Sequence, residues 1–486
     1  MSGMLAEAKS RVRPPPVLFH SLDYLVFLPL TLGAYWLVPE RVRLRVLALG
    51  SLVFYASWSI GYLPLLLGVV LVAWAGGLWI EHANRGGLRG QGWVVALLFL
   101  PLLLFKYWNW VADSAEHLMG FGEGISWIPR SSLGLPVGIS FFTFQAAAYL
   151  MDVRKGAGAE RNPLRFGTFI AFFPQLVAGP IVRMGQLLPQ LSKPQLLARG
   201  DVGEGLYRIG TGMFKKVVIA DTLRLGVVGP VFQEPSAFTS PEVLVALYAY
   251  TLQVYCDFSG YTDIAIGSAR LFGIHLPENF RRPYAATSVS DFWRRWHITL
   301  SNWVRDYVYF GLGGARVSSE WKVYRNLMLT LLVIGVWHGA SWNFVVYGLL
   351  HGVAVCLNRW LRKKHGRPTG KQPPGVWAWF WRFALTFHFV VFARILFRAP
   401  DFGMALEVVE SLLRAEWAWP RFSLVCWGLL FLGYALHGVG DSVERKVRSA
   451  FVRGGPAFWA LGLGLLAALC MKIGAGESVA FVYYRF

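Results

Sequence analysis

The sequence predicts an all-α polytopic membrane protein, and three observations lead there. Over 486 residues the chain is 55% hydrophobic and only 15% charged, with a mean hydropathy of +0.45. Apolar runs recur from residue 17 to residue 472. Lys and Arg collect in the gaps between those runs, as they do in the cytoplasmic loops of membrane proteins. The net charge of +20 follows from such loops; a sharper source is attraction to anionic lipid or to a phosphate-bearing substrate. The basic residues are scattered among apolar runs and form no nucleic-acid reader module, so nucleic acid is excluded as a partner. Cys256, Cys356, Cys426 and Cys470 lie far apart without CxxC spacing and read as small apolar fillers, not as a disulfide or zinc framework.

Taken in order, residues 1–16 form a basic tail ending in Pro14–Pro16, and residues 17–486 a single membrane domain. The run 17–38 is too long for a signal-peptide core and lacks a small-residue cleavage site. Further apolar runs follow at 46–60, 61–80, 92–112, 133–150, 166–181, 205–220, 242–256, 260–274, 327–357, 377–397, 423–438 and 457–472. A full span takes about 20 residues, so the short or Gly/Pro-broken runs are expected as tilted or re-entrant pieces. The loops 113–126 and 233–242 carry no Lys or Arg and are expected in the periplasm. Those with Arg41–Arg45, Arg85 and Arg89, Arg154–Arg165 and Arg359–Arg367 are expected in the cytoplasm.

Three stretches carry the functional expectations. "FGTFIAFFPQLVAGPI" at 166–181 has basic residues on both sides and holds Pro174, Gly179 and Pro180. It is expected to dip into the bilayer and return, buried in protein beside a cavity. The run 327–357 lies between Arg325 and Arg359 and holds "WHGASWN" at 337–343. Its length suits two short helices, with Gly339, Ala340 and Ser341 at the bend and His338 at the turn, deep in the bilayer. An ionisable group there is costly and marks a functional site. No HExxH occurs and no Cys or acid lies at ligand spacing, so no metal is expected. His351 is expected to be an interfacial or packing residue. The third stretch is "ENFRRPYAATSVSDFWRRWHITLSNWVRDYVYFGLGG", ending at Gly314. Ser288, Ser290 and Asp291 offer helix caps. Beyond them Trp293, Trp296 and Leu300 share one helical face and His297 and Ser301 a neighbouring one, which predicts an amphipathic helix lying in the interface. "GLGG" at 311–314 is expected to be a turn.

These blocks carry a resemblance. "LFHSLDYLVFLP" at 18–29, "GISFFTFQAAAYLMDVRKG" at 138–156, "LVAGPIVR" at 176–183, "YCDFSGYTDIAIG" at 255–267, "NFRRPYAATSVSDFWRRWHITLS" at 279–301, "VWHGASWNFVVYGLLHG" at 336–352 and "FVYYRF" at 481–486 stand in order along the chain. Together they resemble the membrane-bound O-acyltransferase (MBOAT) family, most closely its bacterial alginate O-acetyltransferase branch. The resemblance implies a ring of about 11 tilted transmembrane helices, with re-entrant and interfacial helices, around a central tunnel. It places the family's near-invariant histidine at His338 and the branch's second histidine at His297. It also implies a multi-pass protein of the bacterial inner membrane. Its expected partners are membrane lipids, an acyl donor, and periplasmic acetyl-transfer or polysaccharide-export proteins.

The chemistry can be argued beside the resemblance. Transfer of an acyl group from a thioester to an alcohol needs a general base, and histidine is the side chain best matched to neutral pH. A positioned base contributes about 10²–10⁴-fold in rate. An apolar setting favours the neutral imidazole that a base requires and keeps water from the thioester. His338 is expected to take the proton of the acceptor hydroxyl, and His297 to line the cytoplasmic mouth where the donor enters. Arg294, Arg295 and Arg305 are expected either to attract a phosphate-bearing donor such as acetyl-CoA or to anchor lipid headgroups. Trp296, Asp257 and Asn343 complete the candidate substrate-binding set, with Asn343 in a supporting position near His338. Asp257 and Asp263 either orient a histidine, pair with the arginines, or fix helix ends as a buried pair. No bound cofactor is expected. The expected activity moves an acetyl group across the membrane toward hydroxyls of an exported polysaccharide such as alginate. A lipid, teichoic acid or peptide acceptor is the alternative. A proton-coupled transporter is a third reading, but it would more often show internal repeats.

Overall fold

The computed structural model describes Phe19 and residues 21–86, 92–120, 127–364 and 375–473. The tail 1–16, loop residues 121–126 and 365–373 and the terminal FVYYRF lie outside the described residues. Among the described residues the chain is helical and holds no strand. Among the described residues, five helices are long and apolar enough to cross a membrane: Ile60–Arg85, Gly92–Leu118, Trp342–Lys364, Val376–Arg398 and Asp441–Ile473. Asp23–Leu37 and Leu424–Gly438 are apolar but shorter. The count of about 11 spans rests on the resemblance. Large apolar side chains such as Leu67, Leu71, Leu461 and Leu465 point outward along these helices, where lipid takes the place of a protein partner.

One buried helix organises the centre. Ser240–Leu271 runs for 32 residues, starts on a capping box between Thr239 and Glu242, and is buried along most of its length. The apolar runs 242–256 and 260–274 predict two pieces here. The structure corrects this. Gly260 does not interrupt the helix, because its missing side chain is filled by a neighbour: a Cβ there would lie 2.7 Å from the Gly212 carbonyl oxygen of helix Arg199–Met213.

The segment 166–181 is irregular and fully enclosed, as expected. Helix Pro163–Ala171 ends at Phe172, and a single turn, Phe173–Leu176, follows. Side chains satisfy the backbone groups freed by that break. The Gln145 and Gln175 amides both donate to the Phe169 carbonyl, at 2.7 and 2.8 Å. Ser51 Oγ accepts from Phe173 N and Thr299 Oγ1 from Ile181 N. This is how non-helical backbone survives away from water.

The run 327–357 folds as the expected hairpin. Helix Glu320–His338 and helix Trp342–Lys364 are joined at 339–341. Glycines let the two backbones meet: a Cβ on Gly335 would lie 2.3 Å from the Phe344 carbonyl oxygen, and one on Gly348 2.7 Å from that of Leu331. Small residues at such crossings are the usual device for close helix packing in lipid. At the other end, Glu320 accepts from Arg359 Nε at 2.7 Å and Lys363 Nζ at 2.9 Å, tying the feet of the hairpin together.

The expected interfacial helix through "FWRRWHITLSNWV" is overturned. Helix Val289–Arg295, capped by Ser288 Oγ, stops; Trp296 is extended; and helix Ile298–Val304 restarts after His297. The cause is non-local. Residues 279–281 cross the break, with Arg281 N donating to Arg295 O and Ile298 N to Asn279 O, each at 2.9 Å. Asn279 Oδ1 also accepts from Thr299 N and Thr299 Oγ1. Trp293, Trp296 and Leu300 are all buried in protein instead of in headgroups. The glycines at 313 and 314 form the expected turn, both with positive φ.

Candidate active site

His338 is the last residue of its helix, immediately before the hairpin bend, and only 1% of it is exposed. A helix ending inside a protein leaves carbonyls without helical partners. Here two residues of helix Gly92–Leu118 supply donors. Tyr107 Oη donates to Val336 O at 2.9 Å and Lys106 Nζ to Trp337 O at 2.5 Å. Both reach across because their own helix widens into a π-helical turn, Leu103–Tyr107, a distortion frequent at functional sites. Around the imidazole stand the rings of Trp337, Phe344, Tyr347 and Phe397, with centres 5.1–6.5 Å away.

His297 comes to the same place. Its ring centre lies 6.4 Å from that of His338 and 5.4 Å from that of Trp337. His297 is expected to line the cytoplasmic mouth; in the structure it is fully buried. The helix break is the reason. With φ 44° and ψ 56°, His297 is left-handed, a conformation that costs a non-glycine residue about 1–2 kcal/mol. The Arg281–Arg295 bond before it and the Asn279 bonds to Ile298 and Thr299 after it hold it there, and the turn aims the imidazole inward. Backbone strain of this kind is characteristic of functional positions.

The other expected site residues separate into two groups. Arg294 and Arg295 stay on the outer side of the break, paired with Asp291 at 3.1 and 2.9 Å. Arg305 is half exposed and pairs with Asp306 at 2.7 Å. The three arginines pair with these aspartates, and the helix break at 296–297 separates Arg294 and Arg295 from Arg305. Trp296 is buried and carries the guanidinium of Arg394 over its ring at 4.4 Å. Asn343 is buried next to the hairpin bend, and its amide donates to Ala399 O at 2.9 Å, closing the end of helix Val376–Arg398. Asp257 forms an ion pair with Lys216, and Asp263 with Arg208 and Lys215, all at 2.7 Å. His351 packs in the core, its Nδ1 accepting from Trp293 Nε1 at 3.3 Å.

Three neighbours of the histidines escaped the sequence reading. Lys106 lines the same small cavity as His338. Arg394 is completely buried, between Trp296 and Phe397. Asn279 sets the break. A signal existed for the first two: each is a single cation inside an apolar run, "LLLFKYWNW" and "HFVVFARILF", and such residues are functional candidates by default. No local pattern points to Asn279.

A buried pair of imidazoles at a helix end, enclosed by aromatic rings, can move a proton without admitting bulk water. Known proteins are similar to this chain. Residues 93–397 match the model of the MBOAT, membrane-bound O-acyltransferase, family. A probable alginate O-acetylase AlgI of Azotobacter vinelandii is 38% identical over 394 residues, covering 80% of this chain and 76% of that protein. A peptidoglycan O-acetyltransferase of Helicobacter pylori is 35% identical, covering 84% of this chain and 82% of its own length. A teichoic acid D-alanyltransferase of Bacillus subtilis is 30% identical over 66% of this chain and 80% of its own. With its helical membrane architecture, this chain belongs to the membrane-bound O-acyltransferase family and is an O-acyltransferase.

Proposed function

We propose that the protein moves an acetyl group from acetyl-CoA, at the cytoplasmic face of the bacterial inner membrane, through the membrane to hydroxyls of an exported polysaccharide such as alginate. His338 is the general base. It takes the hydroxyl proton as the new C–O bond forms; the C–S bond of the thioester breaks, and the proton passes to the leaving thiolate. His297 sits beside it on the donor side and helps hold the acyl carbonyl. Arg294, Arg295 and Arg305 lie on the donor's approach. Periplasmic acetyl-transfer or export proteins receive or present the acceptor.

The single observation carrying this reading is the pair of buried imidazoles, 6.4 Å between ring centres, brought together from positions 297 and 338. The names of the relatives, two of them O-acetyl transferring enzymes acting on alginate and peptidoglycan, support the acetyl group and a polysaccharide acceptor. The test is transfer of radiolabelled acetyl from acetyl-CoA by purified protein in proteoliposomes. Wild type should transfer. His338→Gln, which can hydrogen-bond but cannot accept a proton near neutral pH, should lose at least the ~10²-fold contribution of a general base. Near-normal rates in folded His338→Gln would end this mechanism.

A further inference from the structure

One cation stands between the two arms that carry the histidines. Arg394 belongs to helix Val376–Arg398, a candidate membrane span, and is completely buried. A charge inside an apolar span is costly and is kept where it serves a function. Its guanidinium carbon lies 4.4 Å from the ring centre of Trp296 and 5.0 Å from that of Phe397, both within cation–π range. Each of those rings adjoins one imidazole. Trp296 is the extended residue of the helix break, joined by one peptide bond to the left-handed His297. Phe397 packs edge-on against the His338 ring, with centres 5.1 Å apart.

Both sides of this contact are anchored. Trp296 stacks on Phe292 at 5.6 Å and meets Phe280 edge-on at 5.1 Å. Phe280 lies against Phe258 of the central helix, and Phe258 against His297, with centres 5.0 and 4.8 Å apart. On the other side, the hairpin that carries His338 holds the end of helix Val376–Arg398. Its Asn343 donates to Ala399 O, and its Phe344 meets Phe397 edge-on at 5.3 Å. The helix end is thus tied to the His338 arm, while Arg394, little more than one turn earlier, grips the His297 arm. A planar guanidinium suits that place, since it stacks on an aromatic face and stays charged.

We infer that Arg394 is a positioning residue for acyl transfer. By holding Trp296 from a helix fixed to the hairpin, it sets His297 against His338. This inference rests on the proposed roles of the two histidines, and the variants below separate its failure from theirs.

Purified full-length wild type is compared with Arg394→Met, Arg394→Lys, Trp296→Leu and the Arg394→Met, Trp296→Leu double variant. Each is measured by thermal unfolding in detergent and by kcat and KM for radiolabelled acetyl transfer from acetyl-CoA in proteoliposomes. Met keeps an unbranched chain and removes a buried charge, so the unfolding temperature should stay at or above that of wild type. Its kcat should fall about tenfold to a hundredfold, the range of a displacement of up to about 1 Å. KM for acetyl-CoA should stay as in wild type, because the loss lies in placing the histidines and not in binding the donor. Lys keeps the charge without the planar face and should recover part of kcat. The double variant should be hardly slower than the slower single one, since both changes break the same contact. Wild-type kcat in Arg394→Met beside an inactive His338→Gln would overturn this inference alone. So would kcat losses that multiply in the double variant, or a lowered unfolding temperature with unchanged kcat, the signature of a purely structural arginine. If Arg394→Met does not purify, wild-type kcat in Arg394→Lys overturns the inference equally. Near-normal transfer by His338→Gln would instead overturn the proposed function.

Discussion

The position of His338 is set by how closely the two hairpin helices approach, and Gly348→Ala tests this directly. The added Cβ would meet Leu331 O at 2.7 Å, Leu332 Cα at 3.0 Å and Gly335 Cα at 3.2 Å. All three are backbone atoms, so no side-chain rotation relieves them. Ordinary contact begins at 3.4 Å, and the nearest is 0.7 Å short of it. The helices must therefore separate by about that much. Two effects oppose each other in stability. Ala is the better helix former by about 1 kcal/mol, while overpacking costs about 1–3 kcal/mol, so a modest net loss is expected. Activity should suffer more. A 1 Å displacement of a catalytic group can cost about 10²-fold, and His338 lies three residues beyond Gly335. We expect kcat for acetyl transfer to fall about tenfold or more. The control is Gly428→Ala in helix Leu424–Gly438, where a Cβ meets nothing within 4 Å. Both variants are measured by thermal unfolding in detergent and by radiolabelled acetyl transfer. Equal stability and equal turnover in the two variants would refute the argument that hairpin packing positions the base.

Three further outcomes are expected. His297→Ala should lower transfer while the protein still purifies, with the larger effect at limiting acetyl-CoA; unchanged transfer at limiting donor removes His297 from the donor side. Single cysteines at Ser236 and Ser318, both exposed, should respond oppositely to a membrane-impermeant maleimide applied to intact cells, with Ser236→Cys labelled and Ser318→Cys protected; the reverse pattern would break the assigned topology. Arg359 and Lys363 hold the Glu320 carboxyl down at about 2. A carboxylate depressed in the folded state adds stability above its unfolded pKa of about 4.5, and that stability is lost as pH falls from there toward 2. Unfolding temperatures of wild type and Glu320→Gln should therefore converge between pH 5 and pH 2.5, and a constant gap would exclude this ion pair as the source.

How much of this could be read from residues alone depends on the range of the interaction. The amino-acid sequence determined the all-helical membrane class, the enclosed irregular segment at 166–181, and the hairpin with His338 at its bend. These follow from composition, from Pro and Gly, and from a charge set inside an apolar run, all local properties. Ser288 as a helix cap was legible for the same reason. The convergence of His297 on His338 was not. Helical periodicity through "FWRRWHITLS" favours one continuous helix, and it is interrupted by hydrogen bonds from Asn279, nearly 20 residues earlier in the chain. Only tertiary structure could turn His297 inward while leaving Arg294 and Arg295 outside. It likewise joined 242–271 into one helix, since whether a glycine breaks a helix depends on what fills the space beside it. Lys106 and Arg394 could be noticed in the sequence as lone cations, but their meeting with the histidines could not be read there. For Lys106 that meeting requires a π-turn in one helix to face the carbonyl end of another, a contact between residues more than 200 positions apart, and no local pattern encodes it.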